Sequence, residues 1–166
     1  MNRFILTLLL AGGIYTAMRN AEVPTLDAGL QGQAFVHDGD TLTLAGIKIW
    51  LFGVDAPELD QTCKLPDGSD WDCGRWSRDQ LRSIFSAQEL HCVKQAYDKY
   101  GRMVARCYLD GQDLAEMLVR DGIVFSYASF SREYISVEKT AAVAGRGLWA
   151  AKVIPPDEFR RSEREN

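Results

Sequence analysis

Three short segments hold the residues whose chemistry packing explains least: Asp38-Gly39-Asp40-Thr41, Gly53-Val54-Asp55-Ala56-Pro57-Glu58 and Asp98-Lys99-Tyr100-Gly101-Arg102. Each has an ordinary reading by itself. Asp-Gly is a strong hairpin-turn signal, acids at a strand end often face solvent, and the third segment suits a polar hairpin tip. Taken together they form a chemical set. Asp40 and Asp55 are hard oxygen donors of the kind calcium takes, alongside carbonyls and water. Glu58 is a carboxylate three residues beyond Asp55, and a positioned carboxylate can accept a proton from water. Arg102 brings a guanidinium whose fork matches a phosphate oxyanion. A neutralised anion, an activated water and a stabilised leaving oxygen are the needs of phosphodiester hydrolysis.

The elements that must position these residues follow from pattern. Strands are expected over 33–37, Thr41–Leu44 and 47–54, where Ile47, Ile49 and Leu51 alternate with Lys48, Trp50 and Phe52. Residues 58–74, with Pro66 and Asp67-Gly68, read as an irregular loop, and 78–87 as a helix with Leu81, Ile84 and Phe85 on one face. Two further strands, 90–96 and Met103–Leu109, flank the Asp98–Arg102 tip. A helix starts near Asp113, where Asp113 and Glu116 have capping-box spacing, and Gly122 suits its stop. A third helix is expected over 133–145, a linker over 21–30, and a polar, frayed tail over 153–166. The sum is a small α+β domain over about 30–152. A barrel closed from five short strands would remove the edges that an open sheet exposes.

Composition narrows the partners. The 19 Lys and Arg against 23 Asp and Glu leave a formal charge of −4, which argues against a broad basic face for polyanions. A few local cations and a metal can still reverse the field in one cleft. Arg3 precedes an apolar run over residues 4–18 that has the layout of a secretory signal. Arg19 makes cleavage after Ala21 poor, so an uncleaved membrane anchor over 1–21 is the alternative, and a buried core helix the third reading. Export places the protein in the periplasm or outside the cell, where cysteines pair. No CxxC is present, and His37 and His91 do not lie at metal-ligand spacing from the cysteines. Four cysteines allow three connectivities. The local pairs Cys63–Cys73 and Cys92–Cys107 are expected, because the first bracket one loop and the second are symmetric about a hairpin tip.

In their order, with Leu118-Val119-Arg120-Asp121-Gly122 and Gly147-Leu148-Trp149 after them, the three segments resemble the thermonuclease (staphylococcal nuclease-like) family. The resemblance spans about Gln33 to Trp149. It implies a five-stranded Greek-key OB-fold barrel with about three helices, acting as a monomeric, calcium-dependent endonuclease on DNA and RNA with little base specificity. It further implies that Asp40, Asp55 and the backbone carbonyl of Ala56 hold Ca2+, that Glu58 is the general base, and that Arg102 binds the reacting phosphate. Lys99 and Tyr100 resemble residues that hold a terminal phosphate, and Tyr127, with Phe130 as a second candidate, could stack on a base. One position departs from the pattern: Trp50 stands where the family has an arginine. Tryptophan has a single N–H donor and no charge, and losing one such donor costs about 10²–10³ in rate. Lys48 shares that strand face but lies roughly 6.6 Å back. A non-catalytic nucleic-acid-binding module on the same barrel is therefore the second reading.

Overall fold

The computed structural model describes residues 29–85 and 88–165, so the expected export segment lies outside the described residues. The chain opens with β1 (Leu30–Gly32) and β2 (Ala34–Val36), then β3 (Thr41–Leu44) and β4 (Ile47–Leu51). Short β5 (Val54–Asp55) precedes a loop containing β6 (Cys63–Lys64) and β7 (Asp70–Trp71). Helix α1 (Cys73–Ile84) leads into β8 (Leu90–Tyr97), β9 (Met103–Leu109) and β10 (Gln112–Asp113). Helix α2 (Leu114–Arg120), β11 (Phe125–Ser126), helix α3 (Ile135–Val143), a 3-10 turn (Gly147–Ala150) and helix α4 (Pro156–Glu165) follow.

The main sheet runs β1-β8-β9-β4-β3-β2, with β4 and β9 parallel and the other pairs antiparallel. Its two end strands, β1 and β2, are consecutive in the chain and separated only by Gln33. One bent segment therefore joins both ends, and the sheet curls into a five-part barrel of the OB-fold type without long free edges. The bend falls at Gly32, whose φ of +146° a side chain would strain. Leu30, Leu42, Ile49, Leu90 and Ala105 fill the interior at 0% exposure, and Leu81, Leu114 and Leu118 seal it from the helices.

Several elements differ from the sequence expectation for identifiable reasons. The third expected strand breaks at Phe52–Gly53, where Gly53 has a φ of +73°, so β5 leaves the barrel and pairs with β11 instead. Helix α1 begins five residues early; Ser77 in that added turn donates to the Ile123 carbonyl at 2.8 Å. The end of the expected linker is β1. The expected frayed tail is helix α4, opened by Pro156 with Asp157 and Glu158 in its first turn. Among the described residues, no helix is long and apolar enough to cross a membrane.

Disulfides join Cys63 to Cys73 and Cys92 to Cys107. The second links directly paired positions of β8 and β9, while the first closes the loop of β6 and β7 onto the start of α1. Each loop closure is worth on the order of 3 kcal/mol in the chain-entropy model. Urea melts with and without reductant should differ by about that much per bond; coincident curves would mean neither bond restrains the unfolded chain.

Candidate active site

The barrel wall brings the first two sequence segments together. A β-carbon on Gly39 would fall 2.1 Å from Ser77 Oγ and 2.7 Å from Ala56 Cβ, so only glycine lets this turn approach so closely. Asp40 follows it, half-buried. Its Oδ2 accepts from the Ala56 amide at 3.0 Å, and its Oδ1 from the Thr41 hydroxyl at 2.8 Å. Asp55, 8% exposed on β5, is fixed by the pairing of that strand with β11. Two acidic side chains thus converge where the protein offers little water. Burial, and then the negative charges of Asp38 and Asp55, hold the Asp40 carboxyl well above the usual carboxylate range. Burial also raises Asp55, and its guanidinium partner offsets this only in part.

That partner is Arg160 of α4, a residue the sequence reading did not include. Its Nη1 and Nη2 donate to the two oxygens of Asp55 at 3.0 and 2.8 Å, and Nη1 also donates to Glu58 Oε1 at 2.7 Å. Glu58 is half-buried, and its amide donates to Gln61 Oε1 at 3.1 Å. Buried Gln61 donates in turn to the Ile154 carbonyl at 2.8 Å, and Lys64 and Lys152 exchange backbone hydrogen bonds at 3.1 and 2.8 Å. These contacts dock the chain leading into α4 against the Cys63–Cys73 loop. Pro156 at a helix start was a legible signal for α4. The contact itself, 105 residues apart in sequence, was not.

The third segment folds around Asp98, whose Oδ1 accepts from the amides of Tyr100 and Arg102 at 2.8 and 2.9 Å. Asp98 Oδ2 also pairs with the Arg102 side chain. The Arg102 guanidinium lies 4.4 Å from the centre of the Trp50 ring and 5.2 Å from that of Tyr100. Lys48 sits 4.9 Å from Trp50, and Lys99 5.0 Å from Tyr100. Trp50 is therefore the bed on which cations rest. It pairs directly with Thr41, and the amide of its neighbour Leu51 donates to the Asp40 carbonyl at 2.9 Å, so the strand that carries Trp50 runs beside the segment that carries Asp40.

Asp40, Asp55, Ala56 and Glu58 thus share one cluster, and Trp50, Lys99, Tyr100 and Arg102 a second beside it. Tyr127 is half-buried beyond β11, its amide bonded to the Gly53 carbonyl at 2.8 Å. Phe130 packs edge-on against Phe52, with ring centres 5.4 Å apart. A second half-buried guanidinium, Arg106, pairs with Asp113 and Glu133 and receives no role from the sequence reading. Among the described residues no group of three or more His, Cys, Asp or Glu side chains is set to hold a metal. The donors at the first cluster are nonetheless two hard carboxylates short of positive charge. They fit an oxygen-seeking cation that completes its shell with a carbonyl and water.

Comparison with known proteins agrees with this geometry. Residues 48–151 match the family described as Staphylococcal nuclease homologue. The succinoglycan biosynthesis protein ExoI of Rhizobium meliloti is 36% identical over 143 residues, covering 82% of this chain and 75% of that one. An uncharacterized endonuclease of Escherichia coli is 30% identical over 142 residues, covering 80% and 86%. One from Haemophilus influenzae is 29% identical over 139 residues, covering 79% and 72%. The chain therefore belongs to the staphylococcal nuclease homologue family of phosphodiester-hydrolysing enzymes.

Proposed function

We propose that this protein is a calcium-dependent endonuclease that hydrolyses DNA and RNA with little base specificity. The observation that carries this reading is the convergence of Asp40 and Asp55 beside Glu58, on a segment paired with the strand whose Trp50 carries the Arg102 guanidinium. Calcium held by Asp40, Asp55 and the Ala56 carbonyl would supply positive charge to a phosphate oxygen. Glu58 would take a proton from the attacking water as its oxygen bonds to phosphorus. The bond from phosphorus to the leaving oxygen then breaks, and that oxygen takes a proton from solvent. Arg102 would donate to a non-bridging oxygen and to the leaving oxygen as their charge grows. Lys99 and Tyr100, at the exposed hairpin tip, would hold a further phosphate, and Tyr127 would offer a face to a base.

A relative's name places that protein in succinoglycan biosynthesis. A neutral glycosidic linkage would give Arg102 and the metal no anion to hold, so a phosphodiester is the better substrate. The catalytic unit extends past residue 152, since α4 contributes a contact to the site. The disulfides fit an oxidising compartment, and we assign the protein to the periplasm or exterior as a monomer, residues 1–21 serving as export signal or anchor. The binding-module reading has one observation in its favour: Glu58, the proposed base, is tied to a guanidinium.

Purified protein should degrade denatured DNA with calcium and not with chelator. Glu58→Gln and Arg102→Ala should each lower that rate by about 10²–10³ or more. Calcium-dependent nucleotide binding without cleavage would leave the binding module as the account.

At a hundredfold excess over Kd, calcium should stabilise the fold by about 2.7 kcal/mol, and Asp40→Ala or Asp55→Ala should remove most of that. Both carboxyls titrate above their unfolded values, so their ionisation destabilises the metal-free fold, and protonation relieves this as pH falls. Protons and calcium thus compete. The calcium-induced rise in Tm should shrink from neutral to mildly acidic pH, and a shift that grew on acidification would place the metal elsewhere.

A further inference from the structure

We infer that Arg160 is a second phosphate-binding residue of the site, a guanidinium delivered by α4 where the barrel strand carries Trp50 in place of an arginine. The inference rests on the proposed nuclease reading. Among the described residues, Arg160 is the only cation hydrogen-bonded to Asp40, Asp55 or Glu58. Arg102 makes its ion pair with Asp98 and stacks on the Trp50 face instead. A phosphate drawn to a cation at Asp55, with its attacking water on Glu58, would have Arg160 as an immediate neighbour.

The donor geometry supports this. A guanidinium has five N–H donors. Three point at carboxylates: two on Nη1, to Asp55 and Glu58, and one on Nη2, to Asp55. The two that remain, on Nε and Nη2, make up the side edge of the fork, the edge that binds phosphate in a bidentate manner. The side chain is 35% exposed, so a ligand can reach it. Asp55 has two oxygens: a metal drawing one of them leaves Arg160 the other, together with Glu58.

Arg160 is also built into place. The backbone pair Lys64–Lys152, the Gln61–Ile154 bond and the buried Pro156 fix the approach of α4. Its neighbour Arg161 makes no bond to the site carboxylates among the described residues; it lies 3.6 Å from Asp157 of the same helix and is 61% exposed.

The test is calorimetric binding of a nucleoside bisphosphate in the presence of calcium, with cleavage of denatured DNA measured in parallel. Arg160→Gln should weaken bisphosphate binding at least about tenfold and lower kcat by about 10²–10³. Arg160→Lys should recover part of the binding, because a point charge lacks the fork. Arg161→Gln should match the unmodified protein. Trp50→Arg alone should gain little, yet it should restore binding to the Arg160→Gln protein by supplying the cation from β4. Should Arg160→Gln unfold, the Arg160→Lys comparison carries the test, and full binding by that variant would count against a fork. Unchanged bisphosphate binding by a folded Arg160→Gln protein overturns the inference and leaves the nuclease reading intact. So does tighter calcium binding with faster cleavage, accompanied by calcium-induced hydrogen exchange in α4, which would make Arg160 a latch. If the unmodified protein binds no bisphosphate, both the inference and the nuclease reading fall.

Discussion

The site is organised by one electrostatic constraint: two acids brought together away from water need positive charge. The barrel creates this problem when the Asp38–Thr41 turn is pressed against Ala56 and β5 is drawn off to pair with β11. An unpaired buried carboxylate is costly enough that a protein protonates it, pairs it or binds a cation there. Here Asp55 is paired with Arg160, and Asp40 accepts an amide and a hydroxyl. Both carboxyls still titrate high, so the cluster remains short of positive charge even with Arg160 in place. A site left in that condition suits a cation, and with it an anionic substrate.

Much of the remaining structure maintains that geometry. Buried Gln61 bonds to the Glu58 amide on one side and to the Ile154 carbonyl on the other. The Cys63–Cys73 disulfide closes the loop between them, and Lys152 pairs with Lys64 inside that loop. The proposed base, the disulfide loop and the approach to α4 are therefore one mechanical unit. On the other side, Trp50 stacks beneath Arg102 while Asp98 holds its Nε, so the Arg102 guanidinium is gripped by ring and carboxylate together. The same tryptophan that withholds a cation from β4 thus orders the cation arriving from β9.

Local pattern carried most of the barrel. Alternation in Ile47–Leu51 and the symmetric cysteines of β8 and β9 are short-range signals, and each has its counterpart in the fold. The segments holding Asp40 and Asp55 were legible as a set through their carboxylates and through an order along the chain that resembles the family pattern. What the sequence hid was long-range. A break at Gly53 re-aims β5, and only its partner β11 shows where it goes. Helix α4 had a proline start and acidic first turn but almost no apolar face, so its composition resembled a solvated tail. Its docking depends on backbone bonds from Lys64 and a carbonyl at Ile154, which no side-chain pattern encodes.

Arg160 also links the metal-free and working forms of the site. Hydrogen bonds to charged groups contribute about 1.5–3 kcal/mol each, and three of them join this guanidinium to Asp55 and Glu58. A cation entering at Asp55 would have to weaken at least part of that set, so in the proposed reading calcium alone would meet resistance from the protein. A phosphate changes the balance, because it offers the guanidinium a second anion just as the metal draws on Asp55. Metal and substrate then favour each other's binding by the same factor, as linkage requires. A phosphate bound through Nε and Nη2 would also draw the guanidinium toward itself and weaken the Nη1 bond to Glu58, leaving the proposed base freer to accept a proton. The arginine that pairs with both carboxylates would in this way also tie the proposed base's readiness to the presence of something to cut.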